Sequence, residues 1–367
     1  MMKEWPLVSI IILNYNGKRF LNECLSTVFR TKYPNFEVIF VDNASTDKSL
    51  DFVNKVFAEN KRLKIIRNRK NLGFGPANNV GFKHARGDYI AFLNNDTSVE
   101  PEWLATLVDA LENDSTIGLA QSLIFNMDGQ MVQSAGHLIG DYFISLSDAK
   151  SNNDRSKDMF PDVFEISFVC GAAMIIKREF LQEIGLFDPK YFWFYDDTYL
   201  SFRTWLANKR VVTVSGSKIC HFGQGTSKSE ISGMLRRYGV ICRISIIFDV
   251  YWNLLGLSKG LFIFSVQRIC GSLIESIKQR KATNFRADLS GVRWVLENFR
   301  HIWGNRLKYW SRAVVDERTL RSRMIKINIP SFVYLVPKLG SLYFNIETDK
   351  YRKRLLWLHQ RELKHLT

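Results

Sequence analysis

The residues that could do chemistry in this 367-residue chain fall into short polar clusters. Four stand early: Asn14-Tyr15-Asn16, Asp42-Asn43, Asn71 to Gly75, and Asn94-Asn95-Asp96. An acidic pair, Asp196-Asp197, and a histidine, His221, follow much later. A carboxylate such as Asp96 suits a hard divalent cation, which takes carboxylate and phosphate oxygens and keeps several waters. The bland alternative is an aspartate in a polar turn after a strand. Adjacent carboxylates at a helix start can cap the helix and complement its dipole. One of them could instead take a proton from a hydroxyl. A lone histidine is more often structural than a ligand. The loop Asn71-Leu72-Gly73-Phe74-Gly75 is not G-x-G-x-x-G and does not by itself read as a dinucleotide site.

The first four clusters share one structural address. Val8–Leu13, Phe36–Val41, Leu63–Ile66 and Asp88–Leu93 are apolar runs of strand length. Helical spacing lies between and after them, over residues 19–30, Asp47–Ala58, Ala77–Arg86 and the segment opened by Pro101. Strands buried on both faces and joined by helices predict a mostly parallel α/β sheet. Such sheets bind ligands beyond the carboxyl ends of their strands, where each polar cluster begins. Residues 126–165 read as a polar surface excursion. Ile166–Ile176 reads as a strand broken by Gly171, Tyr195–Leu206 as an amphipathic helix, and Val211–Val214 as a short strand. His221 then stands in a Gly/Ser-rich loop.

Five ordered motifs carry a resemblance: VSIIILNYNG, VDNASTD, NLGFGPANNVGFKHARGDYIAFLNND, CGAAMIIKREFLQEIGLFDPKYFWFYDD, and the His221 loop. From about Val8 to His221 the chain resembles glycosyltransferase family two, in particular the branch that adds rhamnose or related sugars to lipid-linked or cell-surface glycans. The resemblance implies a GT-A, Rossmann-like fold, a nucleotide-sugar donor, a divalent metal and inversion at the anomeric carbon. It places Asp96 where the family carries its acidic metal motif, although only the last position of Asn94-Asn95-Asp96 is acidic. It offers His221 as a second ligand, and imidazole suits manganese better than magnesium. It places the family's acidic pair at Asp196-Asp197, with Asp197 as the catalytic base and Asp196 as cap or support. Tyr199 stands where the family often has a further acidic residue.

Glycosyl transfer requires three things that these residues could supply. A growing charge on the leaving diphosphate must be neutralised, an acceptor hydroxyl needs a base, and the nucleotide needs an address. Asp42 can accept a hydrogen bond from a uracil or thymine ring N–H, with Tyr15 and Asn16 flanking the base and Asn14 on the same nucleotide side. Gly73 would let backbone approach the ribose or phosphates, beside Asn71, and Gly171 would do so near the donor sugar. Asn94 and Asn95 complete the nucleotide side. The donor is expected to be a UDP- or dTDP-sugar. The aromatic run Tyr191–Tyr195 could wall an acceptor or could be core.

Charge divides the chain. Residues 228–367 hold 26 Lys and Arg against 10 Asp and Glu, whereas residues 1–227 hold 25 against 26. The expected domains are therefore 1–227, catalytic, and 228–367, a basic amphipathic helical region that associates with an anionic membrane surface. Leu235–Gln279 and Val292–Ile327 read as long amphipathic helices with tryptophans among basic residues, as in interfacial helices. Ile244 to Ile263 comes nearest to a run of about 18 apolar residues, but Asp249 and Lys259 interrupt it. No signal-peptide pattern opens the chain. The five cysteines include no C-x-x-C pair, which fits a reducing compartment. The expected location is the cytoplasmic face of a membrane, held peripherally. A nucleotidyltransferase would open with a Gly-, Arg- and Lys-containing loop, and here that loop is Asn14-Tyr15-Asn16-Gly17. A non-catalytic nucleic-acid binder would carry a nucleic-acid fold signature, and none is present, so nucleic acid is not an expected partner. A processive polymerase would carry Q-x-x-R-W, which is absent.

Overall fold

The computed structural model describes residues 5–140, 146–148, 160–193, 196–223, 228–279, 282–327, 346–351, 353–355 and 357. Much of the polar excursion, Phe194, Tyr195 and the Gly/Ser stretch after Gly223 lie outside them. The first half alternates strand and helix as its periodicity predicts, with β5 and β6 as added strands that the sequence reading did not name: β1 (Val8–Asn14), α1 (Lys18–Phe29), β2 (Phe36–Asp42), α2 (Ser49–Val56), β3 (Leu63–Arg67), α3 (Phe74–His84), β4 (Tyr89–Asn94), β5 (Thr97–Val99), α4 (Trp103–Asn113) and β6 (Ile117–Phe125). There follow β7 (Val132–Ser134), β8 (His137–Gly140), β9 (Leu146–Asp148), β10 (Val163–Glu165), β11 (Ala173–Lys177), α5 (Arg178–Ile184), α6 (Asp196–Leu206) and β12 (Arg210–His221).

The main sheet runs β10-β12-β6-β11-β4-β1-β2-β3, with β5 paired to β12 and β7 to β6. Pairings β1–β2, β1–β4, β2–β3 and β6–β12 are parallel. β11 runs antiparallel between β4 and β6. Alternate residues of the central strands bury into different cores. Ile10, Ile12, Val38 and Phe40 meet α1 and α4 on one face. Ile11, Ile39 and Val41 meet the other face, with α3 and α6. Each fully buried side chain of this size contributes roughly 1.5–3 kcal/mol. A one-residue slip would turn both sets the wrong way, so register is strongly specified. That register puts Asn14 opposite Asp42 and Leu13 opposite Asn94. The polar clusters therefore line one edge.

Three further elements differ from the sequence reading. The strand expected over Ile166–Ile176 is shorter and starts later, as β11 from Ala173, paired with β4 and β6, while β10 ends at Glu165 before the expected strand and pairs with β12. β12 reaches His221 instead of stopping at Val214. Ser215-Gly216-Ser217 looks like a turn but forms a bulge, marked by the register shift between Val214 and Lys218. Buried Ser217 donates to Trp103 O at 2.8 Å there. The two long helices are broken into α7 (Lys228–Val250), α8 (Leu254–Phe264), a π-helical stretch Ser265–Cys270, α9 (Gly271–Gln279), α10 (Thr283–Glu297), α11 (Phe299–Trp310) and α12 (Glu317–Met324), before β13 (Ile325–Ile327). The break after α7 has a clear cause. Buried Arg306 donates to the carbonyls of Phe248, Tyr251 and Trp252 (2.6 and 2.5 Å to the last two), and Asn253 caps α8 through Gly256 N.

The C-terminal helices do not stand apart from the sheet. Val240, Ile244, Ile247, Val295 and Ile302 belong to the same core as Ile11, Phe92 and Trp205. The helical run Leu254–Lys278 is long and apolar enough, by length and composition, to cross a membrane, and 22% of its most apolar window is buried. The sequence reading placed its nearest apolar run earlier, at Ile244 to Ile263, and set it aside for Asp249 and Lys259. The structure makes Leu254–Lys278 one uninterrupted helical run with Leu255 80% and Ile277 69% exposed.

Candidate active site

β1, β2 and β4 bring the early clusters together. Asn14 is the hub. Its side-chain oxygen accepts from Asn95 Nδ2 at 2.6 Å, and its Nδ2 donates to Ser45 Oγ at 3.0 Å and, loosely, to Asp42 Oδ1 at 3.4 Å. Asp42 is 1% exposed and also accepts from Ser45 N at 3.2 Å. Asn16 adopts a left-handed conformation (φ 51°), and its side chain accepts from Thr46 N at 2.7 Å. Tyr15 between them is 51% exposed and free to meet a flat ligand. Asn71 turns inward instead, accepting from Asn43 Nδ2 at 2.8 Å and from Gly73 N at 2.9 Å. Gly73 sits at φ +86°, and a Cβ there would lie 2.2 Å from the Phe192 carbonyl oxygen. Its freedom thus serves an approach of protein backbone.

Asp96 and His221 meet although they are far apart in sequence. β5 pairs antiparallel with β12, setting Thr97 opposite His221, and Phe222 N donates to Asp96 O at 2.9 Å. His221 Nε2 lies 3.2 Å from Asp96 Oδ1, with both side chains mostly buried. Gln133 fixes the imidazole. Its Nε2 donates to His221 O at 3.2 Å, which turns its Oε1 toward His221 Nδ1 at 2.8 Å. With Nδ1–H given to Gln133, Nε2 meets Asp96 across 3.2 Å either as an N–H donor to the carboxylate or, in the neutral ring, as a lone pair that a cation could bridge. That spacing is close to the separation of adjacent ligands around an octahedral ion with bonds of about 2.1 Å. Among the described residues, no group of three or more His, Cys, Asp or Glu could hold a metal. Asp96 and His221 could thus supply two side-chain ligands to an ion, and any others would have to come from outside the pair. Gln133 carries no sequence signal, because it lies in the polar excursion among residues of similar type.

The acidic pair divides by burial. Asp196 is buried, and a Cβ on Gly75 would stand 2.0 Å from its Oδ1. Burial first, then the neighbouring Asp197 charge, pushes the Asp196 carboxyl well above the usual range. Asp197 faces the sheet edge. Its Oδ2 accepts from Gly171 N at 3.0 Å and its Oδ1 from Thr198 N at 2.7 Å. Gly171 adjoins Ala172, whose carbonyl accepts from Asn94 N at 2.9 Å. Two hydrogen bonds thus connect Asp197 to the strand end that carries Asp96. The aromatic run splits: Tyr191 is core and donates to Ser245 Oγ at 3.1 Å, whereas exposed Phe192 stacks on Tyr238 of α7.

Residues 9–185 match the sequence profile of "Glycosyl transferase family 2", and this part of the chain is a domain of that family. The chain is 34% identical to an uncharacterized glycosyltransferase of Haemophilus influenzae over 116 residues, covering 32% of this chain and 36% of the relative. It is 24% identical to the glycosyltransferase GlyG of Streptococcus pneumoniae, covering 67% of this chain and 75% of that one. The match to a second Haemophilus influenzae glycosyltransferase covers 47% of that relative, so these alignments span under half of the Haemophilus proteins. The crystal structure of GalNAc-T7 with UDP, GalNAc and Mn2+ superposes with a TM-score of 0.53 at 19% identity, covering 82% of this chain and 57% of that one. The fold is GT-A, as the motifs predict.

Proposed function

We propose that the chain transfers a glycosyl group, with inversion, from a UDP- or dTDP-sugar to a hydroxyl of a glycan or lipid-linked acceptor. The observation that carries this reading is the pairing of Asp96 with His221, oriented by Gln133, on the edge that also holds Asp197. A divalent ion, Mn2+ or Mg2+, held by Asp96 and His221 would neutralise charge on the departing diphosphate. Asp197 takes the proton of the acceptor hydroxyl. That oxygen's electron pair forms the new bond to the anomeric carbon, and the old carbon–oxygen bond breaks with its pair on the diphosphate. A single displacement of this kind inverts the centre. Asp196, kept neutral, holds the helix start without adding a second negative charge. Tyr15 provides a face for the base, and Asp42 accepts its ring N–H by exchanging the loose contact to Asn14. A rhamnose-like donor is the choice favoured by the motifs of that branch. The exposed apolar and basic face of the C-terminal helices holds the protein peripherally on an anionic membrane surface, at its cytosolic side.

The first test is thermal stabilisation by UDP, dTDP, GDP and ADP, with and without Mn2+. UDP or dTDP should raise Tm, more so with metal, and Asp96→Ala should remove the metal-dependent part. Absence of stabilisation by every nucleotide would overturn the transferase reading.

A further inference from the structure

A cavity of about 330 Å³ shares no residue with the polar clusters of the sheet edge. It is lined by Glu183 of α5, by Arg203, Leu206 and Ala207 in and just after α6, and by Tyr309 and Arg312 in and just after α11. That volume suits a small organic molecule. Arg203 sets its chemistry. This residue is 2% exposed, and its guanidinium lies 5.6 Å from the centre of the Tyr309 ring. Its Nη1 donates to the carbonyls of Ile184, Gly185 and Leu186 (2.8 and 3.0 Å to the first and last), and its Nε to Tyr199 O at 3.3 Å. Nη2 is buried with no hydrogen-bond partner. Among the described residues, carbonyl dipoles alone meet this buried charge, and no carboxylate pairs with it. A buried cation and a buried donor left so are costly, and a ligand's anionic oxygen would answer both.

The rim of the cavity adds two further groups. Glu183 and Arg312 are exposed, and among the described residues neither side chain makes a hydrogen bond or ion pair of its own. Leu206 and the Tyr309 ring form an apolar wall. The matching ligand has an anionic end for Arg203 and Arg312, hydroxyls for Glu183, and an aliphatic face for the wall. A sugar phosphate has all three. Inorganic phosphate would leave Glu183 and the wall unused, and a neutral sugar would leave both arginines unanswered. We propose that this cavity binds a sugar phosphate, at a site distinct from that of the nucleotide-sugar donor. Its occupant bears on the acidic pair through α6, because Arg203 stands seven residues after Asp196, about 10 Å along the same helix. The site does not depend on the transferase reading, and either can fail alone.

The test is titration calorimetry on the full chain with glucose 1-phosphate, glucose 6-phosphate, glucose and inorganic phosphate. One or both sugar phosphates should bind about tenfold more tightly than inorganic phosphate, and glucose should not bind. Arg312→Gln should weaken that binding by about tenfold. The Tm of the ligand-free variant should match wild type, because Arg312 is exposed and unpaired. Ala207→Phe, which puts a ring into the cavity, should abolish the binding and leave stabilisation by UDP with Mn2+ unchanged. Saturating UDP and Mn2+ should not displace the sugar phosphate. Displacement would move the ligand to the donor site and overturn the proposal. Wild-type affinity in either variant, or no binding of either sugar phosphate, would also overturn it. If inorganic phosphate binds as tightly as the sugar phosphates, the cavity is a simple anion site and the sugar assignment is overturned. If a sugar phosphate binds as expected while no nucleotide does, the site stands and the transferase reading falls.

Discussion

At the scale of single residues, the acidic pair makes the sharpest claims. Asp197→Asn keeps the size of the side chain and removes its basicity, and with a single acceptor oxygen it gives up one of the bonds from Gly171 N and Thr198 N. It should lower turnover by about 10²–10⁴-fold, the usual contribution of a positioned base, with donor affinity little changed. Full turnover in that variant would remove Asp197 from the chemistry. Asp196 bears on stability instead. Its folded pKa is raised, so the folded chain binds more protons than the unfolded one between the ordinary aspartate value, about 4, and the raised value. Stability therefore falls as pH rises through that window. Asp196→Asn should flatten the slope, so its Tm gains on wild type as pH rises above about 4. Parallel Tm–pH curves would refute the burial argument. Gln133→Leu should weaken Mn2+ binding by about 10–100-fold, as losses of a ligand's positioning partner do, measured by titration calorimetry. Asp96 and Asp197 were legible because each follows a strand or opens a helix inside a longer motif. Gln133 was not, since its role depends on a tertiary hydrogen bond to His221, which sequence spacing does not encode.

At the scale of elements, glycine placement is testable. A Cβ on Gly73 would collide with the Phe192 carbonyl, and φ +86° is strained for any L side chain. Gly73→Ala should cost about 1–3 kcal/mol, read by chemical denaturation, and should displace the segment before α6. Periodicity found the parallel strands well, because residues buried on two faces leave continuous apolar runs. It failed at β12, where the Ser215-Gly216-Ser217 bulge imitates a turn, and in the helical layer, where Arg306 rather than any proline or glycine ends α7. Those breaks come from one side chain reaching several carbonyls across the fold, so no local window could show them.

At the scale of the molecule, charge and apolar exposure coincide. Many basic residues of 228–327 lie on described helices that also present Leu254, Leu255 and Leu296 to the outside. Vesicle binding should weaken steeply between low and high salt if headgroup charge contributes about 1 kcal/mol per basic residue. Salt-independent binding, equal on neutral vesicles, would contradict this. The sequence announced the asymmetry. It did not announce that the same helices share a core with the sheet, since which face packs inward is settled only by the partner.

Asp96, Gln133 and His221 converge from stretches that leave the ribosome well apart. A growing chain that has exposed only its first four strands already has a floor for a base, yet its cation corner is missing two sides. If that corner holds the ion as proposed, reactivity toward an activated sugar would appear only after β12 has threaded back beside β5. Half-made copies would then neither consume donor nor sequester the ion.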